Sequence, residues 1–455
     1  MKRIQTRGIA IWGVSMILLL LSANWALAEE VLPPPGKPLT LDQCVAIALK
    51  YHPSLQSSEA NVQANKATIE QALSAYYPQL SFNNSYTSFT TNFSTSPITN
   101  PTGGAIGVPT SSPNRYRWAF TDVANTGLAA TQTFWDFGRT ANTVKMNREN
   151  TKASEETLIA TRQTVILNVK TAYFGVLQTQ FLIDVAQDTV KQTQQHLEQA
   201  QGFYQAGTHP KIDVTKAEVD LANAELALIQ AKNNFSVARA TLNNALGLRQ
   251  DLVFAIDKEI EIKPKVIPLE EILSTAYERR PEILNLKAQE RSQEASIKFA
   301  QAGYYPIFSG NASYLYRSTG YDRTFYWDAF LGASINFPLF NGFLTPTQVA
   351  QQRAILVSLQ AQEESTRQNI RLEGEQAYLS LTLAIQQIEV TQKAVEQAKE
   401  NYDLASGRYQ VGVGSPLEIT DAEVSLANAR ANYIQAIYGL KTAEARIEKA
   451  MGINR

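Results

Sequence analysis

The chain carries the same text twice. RYQVGVGSPLEITDAEVSLANA, from Arg408, repeats FYQAGTHPKIDVTKAEVDLANA, from Phe203, with Tyr, Gln, Gly, Thr, Ala, Glu, Val, Leu, Ala, Asn and Ala in register. The duplication extends over nearly the whole chain, which forces an architecture made of two like halves. Pro53 meets Pro281, and Tyr76-Tyr77-Pro78 meets Tyr304-Tyr305-Pro306, both at an offset of 228. SFNNSY from Ser81 likewise meets SGNASY from Ser309. Further on the offset shrinks to 205, where Ala172-Tyr173 pairs with Ala377-Tyr378 and Gly247 with Gly452. The difference, 228 − 205 = 23 residues, is an insertion in the first half, in the Ser/Thr/Asn/Pro/Gly tract between Ser88 and Arg117, and reads as a long exposed loop. The halves span 29–248 and 267–455, joined by a connecting segment, 249–266.

Each half reads helix, helix, strand, loop, strand, long helix, turn, helix. Strands are predicted at about 79–90, 118–136, 307–317 and 325–340, from alternation bounded by a proline or a loop. Phe308, Gly310, Ala312, Tyr314 and Tyr316 share one face, with Ser309, Asn311 and Ser313 on the other. Ala329, Leu331, Ala333, Ile335 and Phe337 alternate with Phe330, Gly332, Ser334 and Asn336. Taken singly, such strands suit a transmembrane β-barrel or a half-buried soluble sheet equally well. The helices favour the barrel. Between Pro346 and Tyr409 there is no internal proline, and glycine occurs only at 374 and 407. A helix of ~60 residues extends ~90 Å, too long for a globular domain. The helix after it shows a seam at Leu417, Thr420, Val424, Ala427, Ala431, Ile434 and Tyr438 and a second at Tyr433, Ile437, Leu440, Ile447 and Met451. Two seams imply two neighbours, as in the staves of a helical barrel. Four strands cannot close a barrel in lipid without unpaired edges, so the chain must oligomerise. The expected fold is mostly α with a transmembrane β part.

The N-terminus sets the compartment. Lys2, Arg3 and Arg7 precede an apolar run to Leu21 and then Ala26-Leu27-Ala28, the pattern of a signal peptide (1–28) cleaved after Ala28. Its loss takes the formal charge from −1 to −1 − 3 = −4, which argues against a nucleic-acid partner. The single cysteine, Cys44, lies beyond the cleavage site and so cannot be the lipidated first residue of a lipoprotein; alone, it forms no intramolecular disulfide. His52, His196 and His209 have no metal-ligand spacing, and no nucleophile motif or phosphate-binding loop occurs, so neither cofactor nor enzyme activity is expected.

The opening TLDQCVAIAL…HPSL, the two YYP–strand junctions, FWDFGR at Phe134, PLFNGF at Pro338 and the paired YQ-x-G turns, in this order and duplicated, resemble the TolC-like outer membrane efflux protein family over about residues 39–453. The resemblance implies a homotrimer with a 12-stranded β-barrel, four strands per chain, continued by a periplasmic α-helical barrel. It implies outer-membrane lipid around the barrel, a periplasmic adaptor (membrane fusion) protein, and an inner-membrane pump of RND, ABC or MFS type, in efflux or type I secretion. The competing reading is a periplasmic or surface coiled-coil protein with no channel.

Ser415 is placed to cap the next helix, Pro416 to start it, and Glu418 to complete a capping box. Asp421, three residues on, shares the face of Glu418, so that three chains would stack six carboxylates at the tunnel end. The matching residues of the first half, Asp213 and Lys216, offset each other, which suggests that the second copy faces the lumen. The resemblance supports Glu418 and Asp421 as the pore constriction and places Tyr409 opposite Asp213 in a gate contact. Gly414 stands where many relatives carry a gate arginine. The turns Ala206-Gly207-Thr208 and Val411-Gly412-Val413 are expected at the periplasmic tips, and the resemblance makes them the adaptor-docking points.

Overall fold

A computed structural model describes residues 38–90, 98–99, 105–106, 120–248, 256–257, 266–319 and 325–453. The expected signal peptide and most of the expected connecting segment lie outside these residues. In the first half, α1 (Leu41–Tyr51) and α2 (Pro53–Leu73) lead to β1 (Gln79–Thr90), β2 (Ile98–Thr99), β3 (Ala105–Ile106), β4 (Phe120–Trp135), α3 (Arg139–Gln205) and α4 (Lys211–Leu246). The second half follows with α5 (Leu269–Arg279), α6 (Pro281–Gln301), β5 (Ile307–Thr319), β6 (Phe325–Asn336), α7 (Leu344–Gln410) and α8 (Pro416–Ala450). β2 and β3 form a two-residue ladder inside the tract read as a loop. β6 stops at Asn336 instead of running to 340, because Pro338 has no N–H for the ladder. β5 runs two residues past 317, to Thr319.

The sheet is antiparallel in the order β1-β4-β5-β6. Its register joins Phe82 to Leu128, Leu128 to Tyr314 and Tyr314 to Ala329, and Leu80 through Ala130 and Ala312 to Leu331. Partners across a ladder point the same way, so one face collects Leu80, Phe82, Tyr86, Leu128, Tyr314, Trp327, Leu331 and Ile335. All eight are exposed, Leu331 at 87%. The opposite face carries Ser81, Asn83, Ser309, Asn311, Ser334 and Asn336. At the helical end of the sheet Tyr76, Tyr77, Trp135, Tyr304, Tyr305, Phe340 and Phe343 are exposed as well. This arrangement matches the aromatic girdle of a membrane barrel.

Sheet and helix meet at a tight corner in each half. Phe137 and Gly138 (φ 52° and 87°), and Gly342 and Phe343 (φ 65° and 63°), are two pairs of successive left-handed residues. Asp136 holds the first corner, accepting bonds from the Gly138 N–H (3.0 Å) and the Thr140 N–H (2.7 Å).

α3 and α7, 67 residues each, are about 100 Å long. α3 packs against α4, α6 and α8, and α7 against α8, α5 and α6. The largest core lies midway along them, where Cys44, Leu55, Val169, Phe174, Leu177, Leu242 and Leu246 come together. The second half answers with Ile272, Leu381, Leu440, Ile447 and Met451. The connecting segment is tied in through Ile256, bridged in parallel to Leu39, and through the Tyr173 hydroxyl, which donates to the Leu39 and Asp257 carbonyls. Near the tip the α8 seam departs from the periodic reading. Leu417 and Val424 are exposed, and Ile419, Ala422, Glu423 and Leu426 are buried instead.

Candidate functional site at the helical tips

α3 with α4, and α7 with α8, form hairpins that reverse in the same way. In the first, the Gly207 N–H bonds the Tyr204 carbonyl and the Thr208 N–H bonds the Phe203 carbonyl, each at 3.0 Å. In the second, Gly412 bonds Tyr409 and Val413 bonds Arg408, again at 3.0 Å. These paired bonds close orphan carbonyls at the helix end, and they require the left-handed backbone that Gly207 (φ 72°) and Gly412 (φ 77°) provide. Ala206, Thr208, Val411 and Val413 are exposed around them. Gly414 is needed for a different reason. Its N–H bonds the Arg408 carbonyl at 2.9 Å, and a Cβ there would lie 2.7 Å from the Tyr409 nitrogen. The turn excludes any side chain at 414, an arginine included.

Ser415 caps α8 through the Leu417 N–H at 3.2 Å. The reciprocal half of the expected capping box is absent, because the Glu418 carboxylate turns to Arg408 Nε at 3.3 Å. Asp421 is exposed on the same face. One of the two acids is thus offset by a cation of its own chain. The reciprocal box occurs instead at α1, between Thr40 and Gln43.

Tyr409, at the end of α7, is fully buried. Its ring lies edge-on to His196 (4.9 Å), Phe203 (5.6 Å) and His209 (6.1 Å), so the second hairpin plugs into the first. Its hydroxyl has no hydrogen-bond partner among the described residues. Asp213 is close enough to act on it, and with burial raises its pKa, but the Asp213 carboxylate is bonded to His209 Nδ1 at 3.0 Å. The two residues expected to pair are therefore neighbours without a hydrogen bond between them.

Asp220 and Glu423, which the sequence did not single out, and His196, weighed there only as a metal ligand, complete the crossing. Asp220 of α4 accepts the Thr420 hydroxyl of α8 at 3.2 Å. Glu423, one turn on, is 3% exposed, and burial together with the Asp220 carboxylate pushes its pKa up to about 7. His196 is 4% exposed with neither ring nitrogen bonded, and burial lowers its pKa. No sequence signal marked them: only the packed hairpins show that His196 and Glu423 lie on the faces turned toward each other. Among the described residues no cluster of His, Cys, Asp and Glu fit to hold a metal occurs.

Apolar-faced strands carried on paired long hairpins define a class of protein, the outer-membrane barrel subunit with a helical extension. Within that class the chain belongs to the outer membrane efflux protein family, whose model matches residues 45–248 and 272–453, one stretch in each half. It is 22% identical over 253 residues to outer membrane protein TolC of Escherichia coli (strain K12), covering 53% of this chain and 51% of that protein. It is 29% identical over 192 residues to the pyoverdine export outer membrane protein OpmQ of Pseudomonas aeruginosa, covering 39% of this chain and 38% of the relative. The chain thus spans about half the length, or less, of these curated relatives. A crystal structure of CusC superposes with a TM-score of 0.75 at 20% identity, over 90% of this chain and 92% of that one.

Proposed function

We propose that the protein is the outer-membrane channel subunit of an efflux or type I secretion machine, a passive duct from periplasm to exterior. The sheet carries this reading: an apolar, aromatic-rimmed face on four strands whose outer members, β1 and β6, pair on one side only, with β4 and β5, and leave their outer edges unpaired among the described residues. In lipid such edges must pair, and three copies close twelve strands. The helices leave matching surface for neighbouring copies, with Ile212, Val219 and Leu226 exposed on α4 and Leu379, Leu383, Val390 and Leu404 on α7. The partners are a periplasmic adaptor and an inner-membrane pump of RND, ABC or MFS type. The adaptor meets the turns at Ala206-Gly207-Thr208 and Val411-Gly412-Val413. Glu418 and Asp421 form the constriction, and Tyr409 with Asp213 lies at the gate.

The test is fractionation followed by planar-bilayer recording. The protein is expected to stay with outer membranes through salt and alkaline washes and to conduct once reconstituted. Release by salt would favour a periplasmic coiled-coil protein. Replacing Gly207 and Gly412 with bulky residues should abolish export while trimers persist in the membrane, because left-handed backbone disfavours side chains by about 1–2 kcal/mol per residue. Loss of the trimer itself would confine both glycines to a structural role.

A further inference from the structure

The seam where the α3/α4 hairpin meets the α7/α8 hairpin is poorly satisfied for a buried contact. Among the described residues His196 Nδ1 and Nε2, the Tyr409 hydroxyl and Glu423 Oε1 all lack hydrogen-bond partners, and all three residues are at least 96% buried. Each such group forfeits its hydration on docking with nothing in return. They belong to both hairpins, His196 to α3, Tyr409 to α7 and Glu423 to α8. Asp220 of α4 acts on both His196 and Glu423. We infer that the two hairpins stay docked only while His196 and Glu423 are both uncharged, and that the seam parts by ionising them with opposite sign.

The surroundings give neither ion a full partner. Facing Glu423 are Asp220 from α4, a like charge already committed to the Thr420 hydroxyl, and Tyr402 from α7. Arg430, on α8 near Tyr402, is paired with Asp188 of α3 at 3.5 Å. Facing His196 are Asp213, Lys216 and Asp220 from α4, whose effects oppose one another, and the Tyr409 ring edge from α7. Water is the best available partner for both charges, and water reaches them only when the hairpins separate.

The signs follow by linkage. Glu423 ionises at about 7 when docked and near its ordinary 4.5 when exposed. Its contribution to docking is complete below 4.5 and is lost as pH rises through about 7. A rise from 4.5 to about 7 corresponds to roughly a few-hundred-fold in the docking equilibrium. His196, lowered from 6.5, works the other way. Its contribution is complete above 6.5 and is lost as pH falls. A buried acid and a buried base thus hold the seam with opposed slopes, and the intact protein is steadier across pH than either group alone would make it.

The experiment is thiol access on the full chain purified as the assembled protein. Ala200, 1% exposed between His196 and Phe203 on the seam face of α3, becomes the reporter as Ala200→Cys. Its maleimide labelling rate is divided by that of exposed Gln195→Cys, which cancels the thiol's own pH dependence. Ala217→Cys, also 1% exposed and between Asp213 and Asp220 on α4, is the second reporter. With Glu423→Gln the ratio should drop at pH 7.5 by up to about 300-fold relative to the parent, and climb as pH falls below 6.5. With His196→Phe, which keeps a ring beside Tyr409, the ratio should climb by up to the same factor between pH 4.5 and 7. The parent should vary less than either variant. Glu423→Met removes the charge at similar size and should follow Glu423→Gln. One shared pH profile in all backgrounds, or Glu423 variants labelled as fast as the parent at pH 7.5, would overturn the inference. Labelling reads the hairpin contact itself, so the outcome is distinguishable from a failure of the duct to conduct.

Discussion

Removing the Tyr409 hydroxyl separates two accounts of how the two hairpins dock at the tip. If Tyr409 bonded Asp213 across the hairpins, Tyr409→Phe would delete a hydrogen bond to a carboxylate and weaken closure by about 1.5–3 kcal/mol. The structure places that hydroxyl in a fully buried site with no partner, while Asp213 is engaged by His209 at 3.0 Å. Phenylalanine then keeps the ring contacts with His196, Phe203 and His209 and relieves an unmet desolvation of about 1–3 kcal/mol. The docked state should gain roughly 5- to 150-fold over the parted one. Tyr409→Ala removes the whole plug from a site with no exposure and should weaken docking by about 3–5 kcal/mol. Single-channel recording in planar bilayers measures both, with open probability falling for the Phe variant and rising steeply for the Ala variant. A Phe variant that opens as readily as the Ala variant would show that the hydroxyl is bonded at the gate, and the reasoning would fail.

The acids of the proposed constriction, Glu418 and Asp421, should not be equivalent. Arg408 lies 3.3 Å from Glu418, so Asp421→Asn should reduce cation preference and block by multivalent cations more than Glu418→Gln does, as measured by reversal potentials. Equal losses would mean that the Arg408 contact does not persist in the assembled tunnel. Gly414→Ala should disturb the tip as much as Gly414→Arg, because the clash begins at Cβ, 2.7 Å from the Tyr409 nitrogen; export assays that injure only the Arg variant would point to charge instead. Arg280 is 3% exposed and grips Glu282 with two nitrogens and Glu373 with a third, tying the α5–α6 corner to α7. Arg280→Met should lower thermal stability by about 3 kcal/mol, near the low end for a broken buried pair because Glu373 is half exposed and rehydrates. A melt unchanged from the parent would contradict it.

Features that depend on near neighbours along the chain were legible in the residues alone. Two like halves, strands with one apolar face, helices free of proline, and glycine-ended turns at 207 and 412 all follow from residue types and spacings, because backbone preference and periodicity are local. Alternation fixed which side chains share a face but not the register across the sheet, since a slip of two residues keeps the same face apolar, and the pairings came from the structure. The tip needed the tertiary structure. Whether Glu418 completes a cap or bonds Arg408, and whether Asp213 meets Tyr409 or His209, turns on distances of a few ångströms between helices that the chain's order does not fix. His196 and Glu423 gave no pattern to read, since a histidine or a glutamate on a helix is ordinarily solvated. Only the crossing of four helices takes water from them, and desolvation is a property of the packed neighbourhood, absent from any stretch of sequence.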